Sequence, residues 1–268
     1  MNDQFLKIAR ELALKASREV LSLLHQPIFQ KRKEDKSLVT EADLKSDEII
    51  REGLRKAFAD HAVLTEENGF DGPQDAEYVW LIDPLDGTKA FAKGIPGFSV
   101  MIGLLKKGVP HLGVVVDPLE SRLYEAVRGA GAFQEHAGSR SALKVSPRSK
   151  IEEMRVVVST GFPEKAMGRL KVACPGPKLA PINSVGIKVG LVVRQEADVY
   201  VSHHPVHYWD TCAPQVILET AGGIFTQLDG SALVYDLNSK FAQEGLTLAT
   251  NGTRHAEVVS KLSRLFEG

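Results

Sequence analysis

The stretch Trp80-Leu81-Ile82-Asp83-Pro84-Leu85-Asp86-Gly87-Thr88-Lys89 decides how the rest of the chain is read. The apolar run over 78–82 has the length and β-rich composition of a buried strand. It ends at Asp83, where Pro84 is expected to stop it, and a second acid, Asp86, follows within one turn. Two carboxylates this close repel, and burying them unpaired is costly. A hard cation resolves the conflict, because magnesium takes carboxylate oxygens together with water and substrate phosphate. Gly87 lets backbone N–H groups approach an anion, and Thr88 sets a hydroxyl beside the acids. The stretch reads as a metal-assisted phosphate site at a strand end. Pro, Asp and Gly are also ordinary turn formers, so a plain strand and turn stays open on these residues alone. A phosphatase with an Asp nucleophile in an Asp-x-Asp-Gly-Thr run is a poorer match, since the position two before Asp86 is Pro84.

A chain of 268 residues suffices for one large domain or two lobes with a real core. A net charge of −1 supplies no global field toward nucleic acid or membrane. No apolar stretch approaches spanning length. Cys174 and Cys212 form no Cys-x-x-Cys pair, which removes the zinc and dithiol motifs and suits a reducing compartment. Met1-Asn2-Asp3-Gln4 lacks the pattern of a signal peptide, so a cytoplasmic location is expected.

Phe5, Ile8, Leu12, Ala16, Val20 and Leu23 recur at helical spacing, predicting a helix over 3–24 that Pro27 ends. The charged run 31–36 reads as a mobile loop. Thr40 and Asp43 make an acidic version of the capping box and open a second helix, with Leu44, Ile49, Ile50, Leu54 and Phe58 inward. Taken alone, Asp43 is a helix-start acid. Residues 63–65 read as a strand ending in Glu66-Glu67, surface acids unless a neighbouring strand sets Glu66 beside Asp83. Residues 98–105, 112–116, 123–127 and 132–135 read as an antiparallel sheet. The polar segment 135–148 is taken as the boundary between lobes 1–147 and 148–268. A strand is expected over 154–159, a helix over 184–193 weakened by Gly186 and Gly190, and a strand over 198–201. His203, His204 and His207 have no interleaved carboxylate or cysteine at a zinc spacing and read as a loop. Tyr208-Trp209-Asp210 opens a helix, with Asp210 as N-cap, Pro214 in the first turn and Gly222-Gly223 as the stop. A helix start also favours an anion, so a cap and a phosphate–metal site can coincide at Asp210. A strand over 247–250 and a helix over 256–266 finish the chain.

Each acid has a structural explanation by itself. In order, however, Asp43, Glu66-Glu67, Asp83-Pro84-Leu85-Asp86-Gly87-Thr88 and Trp209-Asp210 ahead of Gly222-Gly223 resemble the inositol monophosphatase-like superfamily of magnesium-dependent, lithium-sensitive phosphomonoesterases. The resemblance covers nearly the whole chain. It implies a mixed α/β fold, a layered αβαβα sandwich of the inositol monophosphatase and fructose-1,6-bisphosphatase type, with the site in a crevice. It implies that Glu66, Asp83 and the Leu85 carbonyl hold one magnesium, and Asp83, Asp86 and Asp210 a second, with a third near Glu66. Asp43 and Thr88 would orient and deprotonate the attacking water, and the N–H groups of Gly87 and Thr88 would hold phosphate.

Lys89 directly after Asp-Gly-Thr, the run Trp209-Asp210-Thr211-Cys212-Ala213-Pro214, and Ser184-Val185-Gly186-Ile187-Lys188 are similar to the 3′(2′),5′-bisphosphate nucleotidase branch. That likeness implies substrate contacts at Lys89, Ser184 and Lys188, with the Lys188 ammonium on a nucleotide phosphate. The inositol branch often carries an acid seven residues before the Trp-Asp aspartate, where this chain has His203. The implied substrate is a small phosphate monoester such as adenosine 3′,5′-bisphosphate, not a nucleic-acid polymer or a membrane. Inositol, histidinol and sugar phosphates stay open. So does a catalytically silent nucleotide-binding protein, against which the complete acid set speaks. The family likeness also implies a homodimer, for which the sequence itself carries no signal.

Overall fold

The computed structural model describes residues 2–26, 30–32, 38–263 and 265–266. The chain opens with α1 (Asn2–Leu23), the hairpin β1 (Gln30–Arg32) and β2 (Leu38–Thr40), and α2 (Glu41–Ala57). Next come β3 (Ala62–Thr65), β4 (Gly69–Asp71), β5 (Tyr78–Asp86) and the short α3 (Thr88–Ala92). A meander follows: β6 (Ser99–Lys106), β7 (Val109–Asp117), β8 (Arg122–Val127), β9 (Gly131–His136) and β10 (Ser139–Ala142). Beyond a 3₁₀ turn at Ile151–Glu153 lie β11 (Val156–Val157), α4 (Glu164–Ala173), α5 (Val185–Val193) and β12 (Val199–Val201). The last elements are α6 (Tyr208–Thr220), β13 (Ile224–Gln227), β14 (Thr247–Thr250) and α7 (His255–Leu262).

Side-chain alternation sorts these elements into layers. On β5, Trp80 and Ile82 pack with Phe5, Ala9, Ile50 and Leu54 of α1 and α2. Val79 and Leu81 face the other way, toward Val189, Val192, Val216 and Ile217 of α5 and α6. Tyr200, Phe225 and Ala249 close this second core from the smaller sheet. The far side of that sheet, with Val199, Val201 and Leu248, is covered by Leu170 of α4 and by Val258 and Leu262 of α7. The order is therefore helix, sheet, helix, sheet, helix, a mixed α/β sandwich in which the central strands of each sheet are buried on both faces.

The large sheet runs β10-β9-β8-β7-β6-β5-β3-β4 and the small one β11-β12-β14-β13. In the large sheet, β3 and β5 are parallel, with Thr65 opposite Ile82. Glu66, the residue after β3, therefore comes level with Asp83 of β5. Helix α6 crosses the opposite face so closely that a Cβ on Gly113 would meet the Ala213 carbonyl oxygen at 2.4 Å. That approach brings Asp210, at the start of α6, to the end of β5.

Several expectations are corrected. Pro84 does not stop β5, which continues to Asp86. Its ladder with β6 is irregular between Asp83 and Asp86, so the missing N–H of Pro84 falls where no partner is needed. Leu44 is exposed instead of inward. The N-cap of α6 is His207, and Pro214 lies in the helix interior, leaving the Asp210 carbonyl without its helical donor. The segment over 135–148 contains β10, and the strand expected over 154–159 shrinks to β11. The elements α3, α4, β4 and β13 carry no sequence signal strong enough to have been expected. Pro27 and most of the charged run, residues 33–36, lie outside the described residues.

Candidate active site

The loop that leaves β5 is shaped by Gly87. Its φ of 95° belongs to the left-handed region, and a Cβ there would meet the Gly97 carbonyl oxygen at 2.4 Å. The turn delivers Thr88 to Asp43. The Thr88 hydroxyl lies 2.9 Å from Asp43 Oδ1 and 3.1 Å from the Leu85 carbonyl. Asp43 Oδ2 is engaged elsewhere, accepting from the Thr40 N–H at 2.8 Å and the Thr40 hydroxyl at 2.6 Å. One Asp43 oxygen thus caps α2 and the other meets Thr88. Burial pushes the Asp43 carboxyl up to about 6, against the opposing pull of the Thr40 and Thr88 hydrogen bonds.

Asp83, Asp86 and Asp210 each offer an oxygen, and these three atoms lie within 4.8 Å of one another. Asp83 Oδ1 accepts from the Leu85 N–H at 3.0 Å. Asp86 Oδ2 accepts from the Ser184 hydroxyl at 2.7 Å and the Gly186 N–H at 3.1 Å. Asp210 Oδ2 accepts from the His207 N–H at 2.6 Å. Burial drives the Asp83 carboxyl well above its ordinary range, and the charges of Glu66, Asp86 and Asp210 push it further. Asp210 rises to about 8, first by burial and then by the charges of Asp86 and Glu66. Burial raises Asp86 as well, opposed by Ser184 and the Lys188 ammonium. Three acids held this close each resist ionisation, a conflict that a divalent cation removes.

A cleft of about 400 Å³ opens over the group. Glu66, Asp83, Leu85, Asp86, Gly87, Thr88, Lys89 and Asp210 all line it, so the expected metal and phosphate residues share one cavity. Ser159, Thr160 and Gly161 form part of its wall, as do His203 and His204. His207 stacks on Trp209, ring centroids 4.6 Å apart, with its Nδ1 3.8 Å from Asp210 Oδ2. Lys188 and Ser184 sit beneath the wall. The Lys188 ammonium is buried, donating to Ser159 Oγ at 2.5 Å and the Asn183 carbonyl at 3.0 Å. Burial lowers it to about 8, opposed by Asp86 and Asp210. Ser184 caps α5, accepting from the Ile187 N–H while donating to Asp86. Lys93 and Asn183 join the cleft without having been singled out. Lys93, the C-cap of α3, stands four residues after Lys89, so recognising that short helix would have put both lysines on one side.

Clustered acids at a strand end, under a cleft of this size, suit a divalent cation and an anionic ligand. Comparison with known proteins narrows the class. Residues 1–265 match the inositol monophosphatase family. The chain is 34% identical over 271 residues to an inositol-1-monophosphatase of Synechocystis sp., covering 97% of this chain and 88% of that one. It is 33% identical over 222 residues to the 3′(2′),5′-bisphosphate nucleotidase CysQ of Salmonella typhimurium, covering 82% and 88%. The solved inositol monophosphatase from Anabaena (Nostoc) sp. superposes with a TM-score of 0.79 at 32% identity, covering 98% and 97%. The chain belongs to the inositol monophosphatase family and is a phosphoric monoester hydrolase. Among the described residues, no helix is long and apolar enough to cross a membrane.

Proposed function

We propose that the chain uses magnesium to remove one phosphate from small bisphosphates of the 3′(2′),5′-nucleotide class, such as adenosine 3′,5′-bisphosphate. The observation that supports this most is the pair Lys89 and Lys93 in the same cleft as the acidic group. Among the described residues, no ion pair takes up either lysine. One phosphate belongs at the acids with the metal, and the two ammonium groups suit a second anion on the same substrate.

The donor set fits a hard divalent cation, being carboxylate and carbonyl oxygens whose mutual repulsion such an ion would relieve. Asp83, Asp86 and Asp210 would hold one magnesium, and Glu66, Asp83 and the Leu85 carbonyl another, with a third beside Glu66. Bound magnesium supplies charge neutralisation at the phosphate and eases deprotonation of water. The chain's own residues supply the proton path. The attacking water gives a proton to Thr88 Oγ1 as that hydroxyl passes its own to Asp43 Oδ1. With its carboxyl near 6, Asp43 is ionised at neutral pH and close enough to it to act as a base. Water forms the new P–O bond, the ester P–O bond breaks, and the leaving alkoxide takes up a proton from solvent. The N–H groups of Gly87 and Thr88 would orient the phosphate.

A phosphate-release panel with magnesium tests the reading, comparing adenosine 3′,5′-bisphosphate, inositol 1-phosphate, histidinol phosphate and fructose 1,6-bisphosphate. The nucleotide is expected to give the highest kcat/KM, and a higher value for any other substrate overturns the assignment. An inositol-phosphate phosphatase is the second reading, favoured by the 34% identity to the Synechocystis protein over 97% of this chain.

A further inference from the structure

Glu66 lies in the turn between β3 and β4, and that turn is tied to helix α2. The Asn68 N–H donates to Thr65 Oγ1 at 2.9 Å, closing the backbone around Glu66 and Glu67. Asn68 Nδ2 then donates to Asp47 Oδ2 at 2.5 Å. Asp47 stands one helical turn after Asp43 and is only 1% exposed. Its other donor is Arg51 Nε at a long 3.4 Å, and its Oδ1 has no partner among the described residues. A carboxylate buried with so few donors is costly. An apolar side chain would serve the core of α2, which is built on Ala42, Ile50 and Leu54. The neighbouring Ser46 donates to the Pro84 carbonyl at 2.7 Å. Helix α2 therefore carries Asp43, holds the segment between Asp83 and Asp86 through Ser46, and holds the Glu66 turn through Asp47.

We propose that Asp47 and Asn68 are positioning residues, a carboxylate–amide tie that sets Glu66 against Asp83 and the Asp43–Thr88 pair. The tie governs how tightly the site takes its metal, not the proton-transfer step. The proposal rests on the reading of Glu66 as a metal ligand.

The test compares Asn68→Ala, Asp47→Asn, the swap Asp47→Asn/Asn68→Asp, and Glu66→Gln with the unmodified protein. Magnesium binding is read by calorimetry, and activity as a function of magnesium gives kcat and the half-activating concentration separately. Each single change at Asp47 or Asn68 is expected to weaken magnesium binding about tenfold. At saturating magnesium, kcat should stay near its original value. The swap exchanges donor and acceptor across the same gap and is expected to restore binding. Because Asn68 is exposed, Asn68→Ala decides the matter if Asp47→Asn fails to fold. Weakened binding in Glu66→Gln with unchanged binding in both single variants overturns the positioning role alone. Unchanged binding in Glu66→Gln removes the ligand reading and the proposal together. Loss that the swap does not repair assigns Asp47 to folding and overturns the proposal.

Discussion

Asp43 and Asp210 occupy the same position in two different helices. Each is the third residue of its helix, and each accepts a hydrogen bond from the N–H of its own N-cap residue. Asp43 Oδ2 takes the Thr40 N–H at 2.8 Å, and Asp210 Oδ2 takes the His207 N–H at 2.6 Å. A carboxylate has a second oxygen, which the cap leaves for the site. The positive end of each helix also favours the charge that the site needs. The local rule that starts a helix thus aims two acids from opposite faces of the large sheet at the end of β5.

If the Asp43 carboxylate serves both the cap and the proposed proton path, the two roles are separable. In Asp43→Asn, the amide oxygen can still accept from Thr40, but the amide nitrogen cannot take the Thr88 proton. Stability should fall by about 1 kcal/mol or less, while kcat falls roughly a hundredfold or more. Denaturant unfolding and steady-state kinetics on the same preparation check this. A kcat within a few-fold of the original would remove Asp43 from the proton path.

The raised acids make metal binding and pH interdependent. Asp83, Asp86 and Asp210 have folded-state pKa values above their unfolded ones, Asp210 at about 8. Their contribution to stability is therefore full below about pH 4 and is lost as pH rises through the folded values. With a chelator present, Tm should decline between pH 5 and pH 8 more steeply than in Asp83→Asn. Magnesium held by these carboxylates would compete with those protons, so the Tm gain from a fixed magnesium concentration should be larger at pH 8 than at pH 5.5. Equal gains at both values would mean that magnesium does not bind at these carboxylates.

The parts of this site that could be read from residues were those in which chemistry interrupts a pattern. Asp83 ends an apolar run, and the parallel β3–β5 register explains why Glu66 stands beside it. Asp43 and Asp210 were visible as helix-start acids, although the cap of α6 lies three residues earlier, at His207. A motif gives a residue's place in the chain but not the direction of its side chain. Ser184 and Lys188 match a nucleotidase-like run, yet their polar atoms are taken up by Asp86, Ile187, Ser159 and the Asn183 carbonyl beneath the cleft. The strand β10 (Ser139–Ala142) is exposed throughout, so no alternation of apolar and polar residues marks it. Helix α4 carries Gly168 and the 83% exposed Val172, which blur its apolar stripe.

A second pH effect has the opposite sign and a separate cause. The buried Trp80 indole donates to His61 Nδ1 at 3.0 Å, so that nitrogen must carry no proton. Burial lowers the His61 pKa, and its folded value lies below its unfolded one. The contribution of His61 is therefore present above about pH 6.5 and is lost as pH falls through the folded value. His61→Gln keeps an acceptor for Trp80 without a titrating ring. Its Tm should fall less than that of the unmodified protein between pH 7.5 and pH 5. Parallel slopes would show that protonation of His61 is not felt by the fold.

Lys89 and Lys93 lie four residues apart on or just after α3, in the cleft that holds the acids. If they bind the second phosphate, their loss should act on the substrate that has one and spare the substrate that does not. A charged hydrogen bond contributes about 1.5–3 kcal/mol, which corresponds to roughly 10- to 100-fold in affinity. Lys89→Met and Lys93→Met should each raise KM for adenosine 3′,5′-bisphosphate by about the lower of these factors. KM for inositol 1-phosphate should stay nearly constant, and the double variant should favour it relative to the nucleotide. Raising the salt concentration should weaken nucleotide binding in the unmodified protein and much less in the double variant. If both substrates lose equally, the lysines serve the reacting phosphate, and the preference for a bisphosphate must come from another part of the cleft.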